Sequence, residues 1–165
     1  METQNNNTAA QDNTKDIVIT RTFDLPLDRI WQAWTEPESF KKWWGPKDFT
    51  CPECTIDLRV GGKTLACMRS KDGKDFWSTG TFLEIVPKKR LVYEDNFSDE
   101  KGNTVSPSYY GMPGEWNDVL VTVEFEDLNG KTKMDLRHKG IPQEMYNDCI
   151  QGWQECFDKM EKIGS

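Results

Sequence analysis

The segment VLVTVEFEDLNGKTKMDLRHKG, residues 119–140, decides the fold class because it has the clearest two-residue alternation in the chain. Apolar residues alternate with polar ones on both sides of Asn129–Gly130, so one face of the segment holds Val119, Val121, Val123, Phe125, Thr132, Met134, Leu136 and His138. Such a pattern around an Asn-Gly pair predicts a β-hairpin with one buried and one solvated face. His138, the single histidine, is therefore expected to point inward.

Other segments share the hairpin's period of two. A β-branched strand, IVITRTF, is expected at residues 17–23. The remaining strands are expected at about 49–59, 63–70, 75–86, 89–97, 117–127 and 131–139. Because these segments follow one another at spacings near ten residues without helices between them, we expect an antiparallel sheet of six or seven strands.

Helical periodicity appears at two places. After the first strand, LPLDRIWQAWTEP predicts a short helix, and Phe40, Trp43 and Trp44 predict a second one, which Gly45–Pro46 ends. A long amphipathic helix is expected at about 143–163, with its apolar stripe formed by Met145, Cys149, Gly152, Trp153, Cys156, Met160 and Ile163. The only large apolar partner for this stripe is the buried face of the sheet, which predicts an α+β domain.

Length and composition limit the classes of function. The 165 residues suit one domain, which we place at 16–165, and the polar residues 1–15 are expected to be a disordered tail. A net charge of −7 without a basic cluster argues against nucleic-acid binding. No apolar run suits a membrane helix or a signal peptide, so we expect a cytoplasmic protein without membrane insertion.

The five cysteines are expected to be reduced thiols, because their number is odd and the chain has no apparent signal peptide. Cys51 and Cys54 form a CxxC motif that leads into a strand, where residues i and i+3 lie about 10 Å apart and point to opposite faces. A structural role is the main interpretation, and a redox pair or half of a zinc site is the alternative. The sequence predicts no metal, no cofactor and no catalytic residue, because no nucleophile and histidine are suitably paired.

Several segments together resemble a known family. WWGPKDFTCPECTIDLRVGGK, GTFLEIVPKKRLVYED, YYGMPGEW and QGWQECFDKM, with the hairpin above, are similar to the bacterial relatives of the activator of heat-shock-protein-90 ATPase, within the START-like (SRPBCC, Bet v 1-like) superfamily. The resemblance covers about residues 17–163. It implies a helix-grip fold, in which a curved sheet wraps on the C-terminal helix, with a cavity for an apolar small molecule between them.

Nine residues are candidates for the lining of that cavity: Trp34, Tyr93, Tyr110, Met112, Trp116, Met134, His138, Cys149 and Trp153. His138 is either a polar anchor in the cavity or a hydrogen-bonded core residue. Beside Trp153, Gly152 costs helix propensity, so either a close approach to the sheet or room for a ligand should compensate. Residues 106–114 are expected to gate the cavity or to fill their own hollow.

Three functions follow from these expectations. The first is binding of an apolar or aromatic small molecule in the cavity. The second is an interaction module that docks a chaperone or a homodimer partner through its outer surface, and the third is an enzyme of the cyclase or hydrolase type. A cavity of about 300 Å³ or more favours the first or third, whereas a filled interior with a flat apolar patch favours the second.

Overall fold

The computed structural model describes residues 14–116 and 118–163, and its sheet has seven antiparallel strands in the order β1-β7-β6-β5-β4-β3-β2. The strands are β1 (Thr14–Phe23), β2 (Cys54–Ile56), β3 (Lys63–Arg69), β4 (Asp75–Val86), β5 (Arg90–Ser98), β6 (Leu120–Asp127) and β7 (Thr132–Pro142). Register shifts in the β1–β7 and β4–β5 pairs mark bulges, which bend strands and so help the sheet to curve. The predicted antiparallel sheet is confirmed.

The hairpin of β6 and β7 forms as the alternation predicts. Asn129 and Gly130 have φ values of 59° and 102°, and the Leu128 N–H donates to the Lys131 carbonyl at 2.8 Å. Positive φ at both central residues defines the hairpin turn that Asn-Gly favours. Val121 pairs with His138 in the ladder, and the His138 side chain is buried, as expected.

The helices are α1 (Leu27–Thr35), α2 (Pro37–Phe40) and α3 (Tyr146–Met160). The long helix expected at 143–163 begins with a 3-10 turn, Gln143–Met145, and its α-helical part ends at Met160. Its buried residues include Phe157, which the predicted stripe omitted although it lies four residues after Trp153. Phe157 stacks on Trp153 with ring centroids 5.5 Å apart and meets Phe23 of β1 edge-on.

The strand expected at 49–59 is much shorter, because β2 covers only Cys54–Ile56. Pro52 has no backbone N–H and interrupts the ladder. On either side of it, Thr50 and Arg69 form an isolated bridge, and the Cys67 N–H donates to the Glu53 carbonyl at 3.0 Å. This part of the chain therefore follows β3 without forming one continuous strand.

The N-terminal boundary lies close to the expected one. Strand β1 begins at Thr14, and Thr14 pairs with Pro142 of β7. The tail predicted at 1–15 lies outside the described residues except for Thr14 and Lys15, which belong to β1. Over the residues that the structure describes, no helix has the length and apolar character required to cross a membrane.

Candidate functional site

A cavity of about 620 Å³ lies between part of α3 and the inner face of the sheet and opens partly to solvent. Its walls come from β3, β4, β5, β7, α3 and the loops before β2, β6 and α3. The lining is mostly apolar, and its principal aromatic members are Trp44, Phe49, Phe76, Phe97, Trp116 and Trp153. The volume exceeds what a filled core leaves, since native interiors hold few voids larger than a water molecule.

A second hollow of about 30 Å³ adjoins the first and is large enough for about one water molecule. Trp44, Ser78 and Asp95 border both hollows. Its other walls include Trp34 of α1 and Tyr93 of β5. Burial raises the pKa of Tyr93 well above its ordinary value.

The structure brings most of the predicted lining residues together. Six of the nine line the large cavity, namely Tyr110, Met112, Trp116, His138, Cys149 and Trp153. Trp34 and Tyr93 line the small hollow instead. Met134 lines neither of them.

The position of Met134 corrects the sequence-based prediction. Its side chain is fully buried, and its sulfur accepts a hydrogen bond from Trp34 Nε1 at 3.3 Å. Met134 shares the inward face of β7 with His138, but four residues of strand place it about 13 Å away. The alternation along β7 predicts which face of the sheet a side chain is on, but not which part of that face lies under the cavity. At Met134 the inner face of the sheet is covered by α1.

His138 is held by two hydrogen bonds, one at each nitrogen of its ring. Trp153 Nε1 and His138 Nδ1 lie 2.9 Å apart, and His138 Nε2 and Asp95 Oδ2 lie 3.2 Å apart. An indole N–H can only donate, so Nδ1 accepts and carries no proton. The ring is therefore assigned as the uncharged tautomer, with its proton on Nε2 donated to Asp95. Because both nitrogens are engaged, His138 is a positioning residue for Asp95 rather than a free base.

Asp95 is the site residue that sequence reasoning missed. Its carboxylate is 16% exposed and borders both hollows. The backbone of Asp95 is held by Trp116, whose Nε1 donates to the Asp95 carbonyl at 2.6 Å. The signal was present in the strand, since Asp95 has the same parity as Leu91, Tyr93 and Phe97, which contact the core.

Gly152 faces open space in the middle of α3. A Cβ atom built on this residue would meet no atom within 4 Å, apart from its chain neighbours and the helix's own backbone. Gly152 lines the large cavity. The close approach to the sheet that sequence reasoning offered is therefore wrong, and the space beside Gly152 belongs to the cavity.

The loop between β5 and β6 contributes a fixed wall. Its 3-10 turn, Pro107–Tyr110, ends at Gly111 in the left-handed conformation. The Tyr110 hydroxyl donates to the Ser98 carbonyl and accepts from the Trp77 N–H at 3.0 Å. These bonds tie Tyr110 to β4 and β5, so Tyr110 is not the free cover that a gate at residues 106–114 would require.

The five cysteines are free thiols in the structure. Burial raises the pKa of Cys51 to about 11 and that of Cys54 to about 12. Burial and, next, the negative charge of Asp95 raise the pKa of Cys149 to about 12. Thiols of this kind are poor nucleophiles. Among residues 14–116 and 118–163, no three His, Cys, Asp or Glu side chains are grouped as a metal site would need.

This arrangement of a curved antiparallel sheet, two short early helices and a C-terminal helix over a cavity is the helix-grip fold. Solved bacterial proteins share it. A crystal structure from Chromobacterium violaceum is 26% identical and superposes with a TM-score of 0.74 over 90% of this chain and 95% of that one. A crystal structure from Mycobacterium smegmatis, 21% identical, has a TM-score of 0.75 over 92% and 95% of the two chains.

Sequence comparison gives the family. Residues 24–164 match the family described as "Activator of Hsp90 ATPase homolog 1-like protein", and the chain belongs to that family. A human relative, "Activator of 90 kDa heat shock protein ATPase homolog 1", is 25% identical over 141 residues, which cover 86% of this chain. The match covers 34% of the human protein, so the chain spans about a third of its length. The resemblance stated from the sequence is confirmed.

Proposed function

We propose that this domain binds an apolar or aromatic small molecule in the cavity between the sheet and α3. The observation that carries the proposal is the cavity of about 620 Å³. Sites for small molecules are concave, mostly apolar and about 300–1,000 Å³ in volume, with a few polar groups that orient the ligand. Here the aromatic walls supply the apolar surface, and the carboxylate of Asp95 supplies the polar group.

The cavity is framed by fixed side chains. Trp153 stacks on Phe157, and its indole N–H is bonded to His138. Tyr110 and Trp116 are each anchored to strand backbone by hydrogen bonds. Walls that are ordered before binding lose less conformational entropy when a ligand arrives, which favours affinity.

The test is a fluorescence titration with N-phenyl-1-naphthylamine, an uncharged dye that brightens in apolar surroundings. We expect saturable binding of one dye per chain. Gly152→Phe places a ring in the open space beside α3 and should weaken binding at least tenfold while circular dichroism shows an intact fold. Native mass spectrometry of the purified protein would show in parallel whether a small molecule has been retained.

The matched control is Leu83→Ser. Leu83 is an exposed apolar side chain of β4 that does not line the large cavity. Its loss should leave the dye affinity unchanged. If Leu83→Ser weakens binding and Gly152→Phe does not, the dye binds an outer apolar surface, and the proposal fails.

A further inference from the structure

The geometry points to an organic cation as the ligand, specifically a protonated amine on an apolar or aromatic body, with Asp95 as the anchor. This inference rests on the proposed function, because it names the chemical class that the same cavity binds. It comes from the charges and aromatic faces that surround the cavity.

The charges on the cavity wall have one sign. Asp95 and Asp148 contribute two carboxylates to it, and none of the described residues that line it is a lysine or an arginine. The whole chain has a net charge of −7. A carboxylate or phosphate ligand would therefore enter a cavity whose fixed charges repel it, whereas a cation is attracted.

His138 does not neutralise Asp95. The indole of Trp153 can only donate, so the bond at 2.9 Å requires an unprotonated Nδ1 and hence an uncharged ring. Protonation of Nδ1 would place two donors against each other and break this contact. The Trp153 indole thus keeps His138 as a neutral donor to Oδ2, and the negative charge of Asp95 stays available to a ligand.

The environment of Asp95 strengthens its attraction for a cation. The Asp95 side chain is only 16% exposed and is surrounded by aromatic side chains. Its hydrogen-bond partner, the imidazole of His138, is uncharged. A partly desolvated charge gains more from an opposite charge than an exposed one does. The charge of Asp95 also acts on another group in the wall. Burial is the largest cause of the raised pKa of Cys149, and the negative charge of Asp95 is the second largest.

The aromatic walls favour the same class of ligand. Trp116 lies 5.6 Å from the His138 ring, and Trp116 and Phe97 have ring centroids 4.8 Å apart beside the backbone of Asp95. The faces of aromatic rings attract cations through their quadrupole, and aromatic cages bind alkylammonium groups in this way. A carboxylate beside aromatic rings therefore suits an ammonium group attached to an apolar body.

The test compares three probes of nearly equal shape by isothermal titration calorimetry at pH 7: 1-naphthylmethylammonium, 1-naphthylmethanol and 1-naphthoate. We expect the ammonium to bind about tenfold more tightly than the alcohol, the ratio that follows from replacing a neutral hydrogen bond by a charge-assisted one. The naphthoate should bind most weakly. Asp95→Asn should reduce the ammonium-to-alcohol ratio below about threefold, on the same hydrogen-bond scale.

The control is Glu126→Gln, which removes one negative charge from the exposed face of β6 and should keep the tenfold ratio. Equal affinities for the ammonium and the alcohol, or tightest binding of the naphthoate, would overturn the inference and leave the proposed function intact. A tenfold ratio that persists in Asp95→Asn would overturn the role of Asp95. If none of the probes binds, the inference fails together with the proposed function. The wild-type ratio stands as a test even if Asp95→Asn does not fold.

Discussion

Replacing Gly152 by alanine should stabilise the protein, which is unusual for a substitution on the inward face of a helix. Gly152 lies in the interior of α3, and a Cβ atom there would meet nothing within 4 Å outside the helix's own backbone. The substitution therefore gains the full difference in helix propensity, about 0.8–1.0 kcal/mol, without a steric cost. For a chain of this length, the melting temperature should rise by roughly 2–4 °C.

Thermal and urea unfolding followed by circular dichroism would measure this change. The matched control is Gly80→Ala in β4, where a Cβ atom would lie 2.9 Å from the Glu94 carbonyl oxygen and 3.0 Å from Thr64 Oγ1. That substitution should destabilise the protein by about 1–3 kcal/mol through overpacking. If Gly152→Ala lowers the free energy of unfolding as Gly80→Ala does, α3 lies against the sheet at this point and the cavity is smaller than described.

Three further predictions concern the walls of the cavity. Tyr110→Phe should lower the free energy of unfolding by about 1–3 kcal/mol in urea melts, because it leaves the Trp77 N–H without its acceptor; an unchanged midpoint would contradict the anchored loop. Alkylation of Cys149 by iodoacetamide at pH 8 should be far slower than in unfolded protein, because its pKa of about 12 leaves little thiolate, and equal rates by peptide mass spectrometry would contradict the burial. Trp153→Phe should remove the hydrogen bond to His138 Nδ1 and change the ¹⁵N chemical shift of that nitrogen, whereas an unchanged shift would argue against the indole bond.

The strands and their antiparallel pairing could be read largely from the sequence because hairpin turns and burial are local signals. Asn129–Gly130 fixes the turn, and the two-residue period fixes the buried face of β7, including His138. The extent of β2 could not be read in this way. The length of β2 depends on how far the chain around Pro52 pairs with β3. This pairing depends on both segments together and not on either one alone.

The candidate site was predicted in part for a similar reason. Parity along β5 was sufficient to place Asp95 on the inner face, but no local pattern indicated that His138 would lie across β6 from it. The prediction that Met134 lies on the inner face of the sheet was right. Its distance from the cavity, however, depends on where α1 and α3 cross the sheet. The volume of the cavity is set by the separation of α3 from the sheet, which no periodicity reports.

The indole resonances of the seven tryptophans offer the most direct test of the central claim, that the cavity under α3 binds a small molecule. Trp44, Trp116 and Trp153 line the cavity, whereas Trp31 packs on Phe125 and Trp77 alternates with the lining residues of β4. In a ¹⁵N-labelled sample titrated with N-phenyl-1-naphthylamine, we predict that the Nε1–H signals of the first three shift and saturate at one dye per chain. The signals of Trp31 and Trp77 should stay in place. Shifts confined to Trp31 or Trp77, or shifts that do not saturate, would contradict the account.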